Sequence, residues 1–186
     1  MKKKAVFLDR DGVINFDYGY VHEIDAFEFI PGSVDALKTL QDAGFALVIV
    51  TNQAGIGRGL YSNIQYRALN NHMQSLLATA GVELSGIYYC PHHPDGVGEY
   101  RMECACRKPK AGMLKAAAVE LGIDPRVSVM IGDKISDIEA GRTAGCRYCI
   151  LVESGHAVSE VDRTRADVCL ADLRSAASWI LKIHGR

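Results

Sequence analysis

The sequence lacks any long hydrophobic run. No apolar segment approaches the about 20 residues that a helix needs to cross a bilayer, so the sequence indicates no membrane partner. The basic start at residues 1–4 is similar to the first region of a signal peptide, but the apolar residues 5–8 that follow are too few for the second region. We therefore expect a cytoplasmic protein, in which cysteines remain reduced unless they bind a metal.

An excess of charge of one sign is also missing. The chain has 21 Lys and Arg residues against 22 Asp and Glu residues, for a formal net charge of −1 at pH 7. Because nucleic-acid-binding domains usually carry a basic patch, we expect no nucleic-acid partner. No linker, repeat or heptad pattern divides the 186 residues or indicates self-association. The sequence predicts one domain, residues 1–186, that is a monomer.

Short apolar runs alternate with helical segments along the chain. Strands are expected at 4–9, 45–50, 86–90, 127–131, 147–152 and 167–170, and helices at 33–43, 63–80, 111–122, 136–144 and 172–183. The runs are nearly continuous, as in strands that are covered on both faces. This alternation predicts an α/β fold, a doubly wound and mainly parallel sheet with helices on both faces.

Several residues mark where these helices should begin and end. Ser33 and Ser62 are expected to cap the amino ends of two helices. Four glycines stand where a helix should stop: Gly44, Gly81, Gly122 and Gly145.

Two carboxylates lie two positions apart at the end of the first apolar run. Asp9 and Asp11 can face the same side of a strand, because strand side chains alternate. Ligands of open α/β sheets bind at the carboxyl ends of the strands, where one carboxylate can attack while the other transfers protons. A lone pair of this kind is equally typical of a surface Asp-Gly turn, so other segments must decide.

Three later segments supply that decision. Each puts a polar or charged residue after an apolar strand or before a helix, and they contribute Thr51, Lys108 and Asp133. In the order Asp, Thr, Lys, Asp, the four motifs resemble those of the haloacid dehalogenase superfamily of aspartate-nucleophile phosphohydrolases. The resemblance spans about residues 4–152 and implies a Rossmann-like sheet.

The resemblance implies a role for each motif residue. Asp9 would attack phosphorus, and Asp11 would protonate the leaving oxygen and then take a proton from water. The Thr51 hydroxyl and the backbone N–H of Asn52 would hold the phosphoryl oxygens. Lys108 would balance the negative charge of the nucleophile and the phosphate.

The resemblance also implies a magnesium site. The Asp9 carboxylate, the backbone carbonyl of Asp11 and the Asp133 carboxylate would bind Mg²⁺, a cation that prefers oxygen ligands. Lys134 is expected to bind substrate. Asp137 has two interpretations. It could support the motif lysine or the metal's waters, or it could stabilise the first turn of a helix.

A second cluster of metal-binding residue types lies on one loop. Cys90 and His92 are followed by Cys104 and Cys106, and four such ligands in two close pairs suit a structural zinc site. His93 is a possible substitute for His92. The sequence therefore predicts Zn²⁺ as a second, structural cofactor.

Three further cysteines have a different interpretation. Cys146 and Cys149 form a C-x-x-C pair, but Cys149 leads into an apolar strand. We interpret this pair and Cys169 as buried or incidental thiols, not as a redox motif.

The zinc loop leads directly into Arg107-Lys108-Pro109. This arrangement resembles two subgroups of the superfamily that have no cap domain, the heptose bisphosphate phosphatases and the histidinol-phosphate phosphatases. The stretches 12–32 and 52–107 have no room for a full cap. Four segments are similar to the heptose subgroup: 18–22, 27–32, 51–59 and 88–94.

The extra cations agree with a bisphosphate. Arg58 and Arg107 exceed what one transferring phosphate needs, and they are expected to bind the second phosphate of a sugar bisphosphate. Histidinol phosphate remains the alternative substrate. A phospho-accepting binding module without turnover is a third possibility, which Asp11 disfavours because an acid/base would shorten the life of an aspartyl-phosphate.

Overall fold

The structure is a computed structural model that describes residues 3–184; residues 1–2 of the basic start lie outside the described residues. The strands are β1 (Ala5–Leu8), β2 (Ala46–Asn52), β3 (Gly86–Cys90), β4 (Val129–Gly132), β5 (Tyr148–Val152) and β6 (Val168–Leu170). The helices are α1 (Ser33–Asp42), α2 (Ala54–Gly57), α3 (Asn63–Thr79), α4 (Gly112–Glu120), α5 (Ile135–Ala144), α6 (Glu160–Arg165) and α7 (Leu173–His184).

One six-stranded sheet organises the described residues, in the order β3-β2-β1-β4-β5-β6. Every neighbouring pair of strands is parallel. The order turns back at β1, which lies between β2 and β4, and such a switch point is where open α/β sheets bind their ligands. The predicted fold class is confirmed.

Alternating side chains of β1 pack into two separate hydrophobic cores, one on each face of the sheet. Val6 and Leu8 pack in a cluster with residues of α1, α3 and α7 on one face of the sheet. Ala5 and Phe7 pack on the other face with residues of α4 and α5. Because both faces are covered, the strands are apolar without interruption, as the sequence indicated.

The predicted elements are all present, and their ends differ from the prediction by no more than two residues. The helices α2 and α6 were not predicted, since four and six residues are too short to show a helical period. No helix in the described part of the chain is long and apolar enough to cross a membrane. The stretches 12–32 and 52–107 hold short elements and loops in place of a cap domain.

One predicted helix cap is wrong. Gly32, with φ of 82°, occupies the N-cap position of α1 and Ser33 is the first helical residue. The buried Ser33 hydroxyl instead donates to the carbonyl of Ile14 at 2.9 Å. The cap at Ser62 is confirmed by a reciprocal pair of hydrogen bonds with Gln65. The four helix-stopping glycines all have positive φ, as that role requires.

Candidate active site

The carboxyl ends of the central strands border a cavity of about 530 Å³. Most of the predicted catalytic and substrate-binding residues line it: Asp9, Asp11, Thr51, Asn52, Arg107, Lys108 and Lys134. These positions are up to 125 residues apart in the chain, and the parallel topology brings them together. Arg58 is not part of the lining.

Lys108 is a buried cation next to the proposed nucleophile. Its Nζ lies 3.1 Å from Asp9 Oδ1 and 2.6 Å from Asp137 Oδ1. Burial alone would lower the pKa of Lys108, but the carboxylates of Asp137 and Asp9 outweigh it and raise the pKa above its ordinary value. Lys108 therefore stays charged beside Asp9.

Asp137 satisfies both of its sequence interpretations. One carboxylate oxygen pairs with Lys108, and the other accepts the backbone N–H of Lys134 at 3.0 Å in the first turn of α5. The same residue therefore anchors the helix and fixes the lysine.

Asp133 meets the conditions for a cation ligand. One oxygen each of Asp9, Asp133 and Asp137 lie within 4.8 Å of one another. Asp133 Oδ1 is buried and has no hydrogen-bond partner among residues 3–184. Burial, and next the negative charge of Asp9, raise the pKa of Asp133 to about 7. A divalent cation would supply the missing partner and offset the repulsion, so the donor set fits Mg²⁺.

The turn that follows Asp11 leaves no space for a side chain. Gly12 has φ of 84°, and a Cβ there would collide with the Asp133 carboxylate. Ser154 donates to the Gly12 carbonyl at 2.7 Å, and His156 Nδ1 hydrogen-bonds the Asp133 carboxylate. The loop after β5 thus makes hydrogen bonds both to the turn at Gly12 and to one oxygen of Asp133. Sequence reasoning missed His156, although it follows a strand as the other motifs do.

The Asp11 carboxylate is held by three neighbouring side chains. It accepts hydrogen bonds from Arg10 Nε and Nη2 at 3.1 and 3.0 Å, from Asn15 Nδ2 at 2.9 Å and from Gln53 Nε2 at 3.0 Å. Gln53 also donates to Thr51 Oγ1 at 2.9 Å. None of these three donors was assigned a role from the sequence.

The side chain of Asn52 is occupied by the chain itself. Its amide donates to the Lys108 carbonyl at 3.1 Å and accepts the Lys108 N–H at 3.0 Å. The end of β2 therefore fixes the backbone of the motif lysine.

Arg58 lies outside the cavity lining but contacts one residue of it. Its Nη1 donates to the Tyr20 hydroxyl at 2.8 Å, and its Nη2 lies 3.1 Å from His93 Nε2. Tyr20 itself lines the cavity and has φ of 53°, which is uncommon for a residue with a side chain. Arg58 thus joins residues 18–22, which we call the flap, to the loop that carries the predicted zinc ligands.

That loop brings four soft ligand atoms together. The sulfur atoms of Cys90, Cys104 and Cys106 lie 3.0 to 3.4 Å apart, and His92 Nδ1 lies 3.4 Å from Cys106 Sγ. The four residues can hold one metal ion, and Cys3His is a zinc donor set. His93 is not part of this group. Arg107, which directly follows Cys106, donates to the His92 carbonyl at 3.3 Å.

The other cysteines are free thiols. Cys149 is fully buried in β5, and burial raises its pKa to about 12. Cys146 and Cys169 are half-buried. Inert thiols of this kind agree with the interpretation from sequence.

Comparison with known proteins gives consistent matches. The HAD-hydrolase-like family model matches residues 105–176. The chain is 53% identical over 181 residues to the D-glycero-beta-D-manno-heptose-1,7-bisphosphate 7-phosphatase of Haemophilus ducreyi, which covers 97% of this chain and 100% of that protein. The Escherichia coli K12 protein of the same name is 49% identical over 179 residues, 96% of this chain and 94% of its own length.

A solved structure agrees with these relatives. The D,D-heptose 1,7-bisphosphate phosphatase from B. bronchiseptica, in complex with magnesium and phosphate, superimposes with a TM-score of 0.84 at 32% identity. The match covers 97% of this chain and 99% of that one. The chain belongs to the heptose bisphosphate phosphatase family.

This membership confirms the resemblance to the haloacid dehalogenase superfamily that the four motifs indicated. The family consists of phosphoric monoester hydrolases, so the chain is an enzyme of that class. The binding-module alternative finds no support among these relatives.

Proposed function

We propose that the chain is a Mg²⁺-dependent phosphatase that removes the 7-phosphate of D-glycero-D-manno-heptose 1,7-bisphosphate. The observation that carries the proposal is the pairing of Asp9 with the buried Lys108, beside the partnerless oxygen of Asp133. The names of near full-length relatives support this substrate. We also propose that residues 1–186 form one domain that acts as a cytoplasmic monomer.

In the first step, an oxygen of Asp9 attacks phosphorus and the bond from phosphorus to the C7 oxygen of the sugar breaks. Asp11 gives a proton to that leaving oxygen. The Thr51 hydroxyl holds a phosphoryl oxygen, and Lys108 balances the negative charge that gathers around Asp9. The sugar leaves as heptose 1-phosphate, and Asp9 carries the phosphoryl group.

In the second step, water attacks the phosphorus of the aspartyl-phosphate. Asp11, now without its proton, takes one from the attacking water. The bond between phosphorus and Asp9 breaks, inorganic phosphate leaves, and both carboxylates return to their starting states.

Residues that bind Mg²⁺ surround this chemistry. Asp9, Asp133 and the backbone carbonyl of Asp11 would hold the ion, which supplies positive charge for the transferring phosphoryl group when bound. The shape of the turn at Gly12 keeps Asp11 and Asp133 close enough for this purpose.

The phosphate that stays on the sugar needs cations of its own. Arg107 and Lys134 line the cavity in addition to Lys108, and we assign them to substrate binding. A planar guanidinium can bind a phosphate through two hydrogen bonds. We propose that zinc held by the loop of Cys90, His92, Cys104 and Cys106 keeps Arg107 in place.

The test is phosphate release with Mg²⁺ from heptose 1,7-bisphosphate and from histidinol phosphate, measured side by side. We expect kcat/KM to be at least roughly 10²-fold higher for the bisphosphate, since two clamped charges favour it. A preference for histidinol phosphate would overturn the proposed substrate while leaving the phosphatase chemistry in place.

A further inference from the structure

Arg10 is the largest fully buried side chain in the described part of the chain. In the sequence it stands between Asp9, the proposed nucleophile, and Asp11, the proposed acid/base. Arginine is almost never fully buried unless it is paired, because taking the charge out of water is unfavourable. A buried arginine at this point of the chain therefore needs a specific partner.

That partner is Asp11. Arg10 Nε and Nη2 donate to the two oxygens of the Asp11 carboxylate at 3.1 and 3.0 Å. Among residues 3–184, Asp11 is the only carboxylate within ion-pair distance of Arg10. A bidentate contact fixes the plane of the carboxylate as well as its position.

The guanidinium is itself fixed from three other directions. Its Nη1 donates to Asn70 Oδ1 of α3 at 3.3 Å, and its Nη2 donates to the carbonyl of Val21 in the flap at 2.9 Å. The group also lies over the ring of Tyr66, 5.7 Å from its centre. These contacts hold the guanidinium through groups other than Asp11.

We propose that Arg10 is a positioning residue that holds the Asp11 carboxylate within hydrogen-bond reach of the leaving oxygen. Through its bond to the Val21 carbonyl, Arg10 also connects the flap to this position of Asp11. The inference rests on the proposed function, in which Asp11 transfers that proton. Proton transfer requires a heavy-atom distance of about 2.6 to 3.2 Å. A misplacement of about 1 Å can lower a rate roughly 10²-fold.

The leaving group separates this role from a merely structural one. A sugar oxygen leaves as a strongly basic alkoxide and depends on a well-placed acid, whereas a nitrophenol oxygen is weakly basic and depends on it little. A misplaced Asp11 carboxylate should therefore slow hydrolysis of the sugar phosphate more than that of the aryl phosphate. A general loosening of the site would slow both reactions alike.

The experiment compares kcat/KM, which reports the steps up to departure of the leaving group, for heptose 1,7-bisphosphate and 4-nitrophenyl phosphate. For Arg10→Gln we expect a loss of roughly 10²-fold with the sugar and under about tenfold with the aryl phosphate. Arg10→Lys, which keeps the charge, should recover part of the loss. The matched control is Arg126→Gln, which removes a bidentate pair with Asp124 outside the cavity lining and should leave both values unchanged.

A second variant keeps the test decisive if Arg10→Gln does not fold. Asn15→Leu removes another hydrogen bond to Asp11 at nearly constant volume, and it should show the same selectivity with a smaller loss. Equal losses on the two substrates in the folded variants would overturn the proposal.

Asp11→Asn distinguishes failure of the positioning role of Arg10 from failure of the acid role of Asp11. If Asp11→Asn is selective for the sugar substrate and Arg10→Gln is not, the positioning role fails alone. If Asp11→Asn shows no selectivity, the acid role of Asp11 fails, and the inference fails with it.

Discussion

The amide side chain of Asn52 makes two hydrogen bonds with the backbone of Lys108, one as donor and one as acceptor. These residues are 56 positions apart, and the pairing connects the end of β2 with the end of the zinc loop. The Lys108 backbone, and with it the ammonium group that faces Asp9, is thus fixed by a residue at the end of β2.

This contact predicts that Asn52 acts mainly through Lys108. Asn52→Ala removes two hydrogen bonds, each contributing about 0.5 to 1.5 kcal/mol, so kcat/KM should fall roughly 5- to 150-fold with the fold retained. Asn71→Ala, an exposed asparagine of α3, is the control. An unchanged kcat/KM for Asn52→Ala would show that Lys108 needs no such support.

The two leading carboxylates should have unequal importance. Asp9→Asn removes the nucleophile, and turnover should fall at least about 10³-fold while circular dichroism remains that of the folded protein. Asp11→Asn should lose about 10² to 10⁴-fold, the usual contribution of proton transfer. Near-normal turnover by folded Asp9→Asn would rule out the covalent mechanism.

Two metals should behave differently towards chelators. Mg²⁺ usually keeps several waters among its ligands and should exchange readily, so EDTA should abolish activity and added Mg²⁺ should restore it. Zinc in a closed four-ligand site should survive this treatment and be found at one atom per chain by elemental analysis. Protein purified without chelators that contains no zinc would contradict the assignment.

The zinc site should also stabilise its loop. Cys104→Ser removes one of the four ligands, so protease cleavage should become fast within residues 91–106 and activity should fall, because Arg107 and Lys108 follow directly. Cys169→Ser, at a half-buried free thiol remote from the cluster, should leave cleavage unchanged. Cleavage spread over the whole chain would indicate global unfolding instead.

Arg107 should determine selectivity more than chemistry. Arg107→Ala should lower kcat/KM for the bisphosphate roughly 10- to 100-fold more than for a small monophosphate, since one charge-assisted clamp contributes about 1.5 to 3 kcal/mol. Lys108→Ala should harm both substrates alike. Arg101→Ala, an exposed arginine of the same loop, serves as the control, and equal losses for Arg107→Ala would assign that residue to the reaction centre.

The sequence predicts the fold well because its signals are local. The apolar runs and the glycine stops each depend on neighbouring residues. Asp9 and Asp133 directly follow strands and Thr51 lies in the last two residues of β2, and the carboxyl ends of these parallel strands must meet. The cysteine spacing predicts the zinc ligands for the same reason, since two close pairs restrict the geometry.

The supporting residues could not be predicted in this way. Arg10 looks like a surface charge in a turn until the contacts with Asn70 and Val21 are known. The pairing of His156 with Asp133 joins loops that are remote in sequence. Such contacts depend on tertiary packing, which leaves no periodic pattern in the sequence.

The site is proposed to remove the phosphate at C7 and to retain the one at C1. Phosphorus NMR of heptose 1,7-bisphosphate during hydrolysis with Mg²⁺ measures this directly. We expect loss of the C7 ester signal, growth of inorganic phosphate and a persistent C1 phosphate signal. Loss of the C1 signal first, or no hydrolysis at all by folded protein with its metals bound, would contradict it.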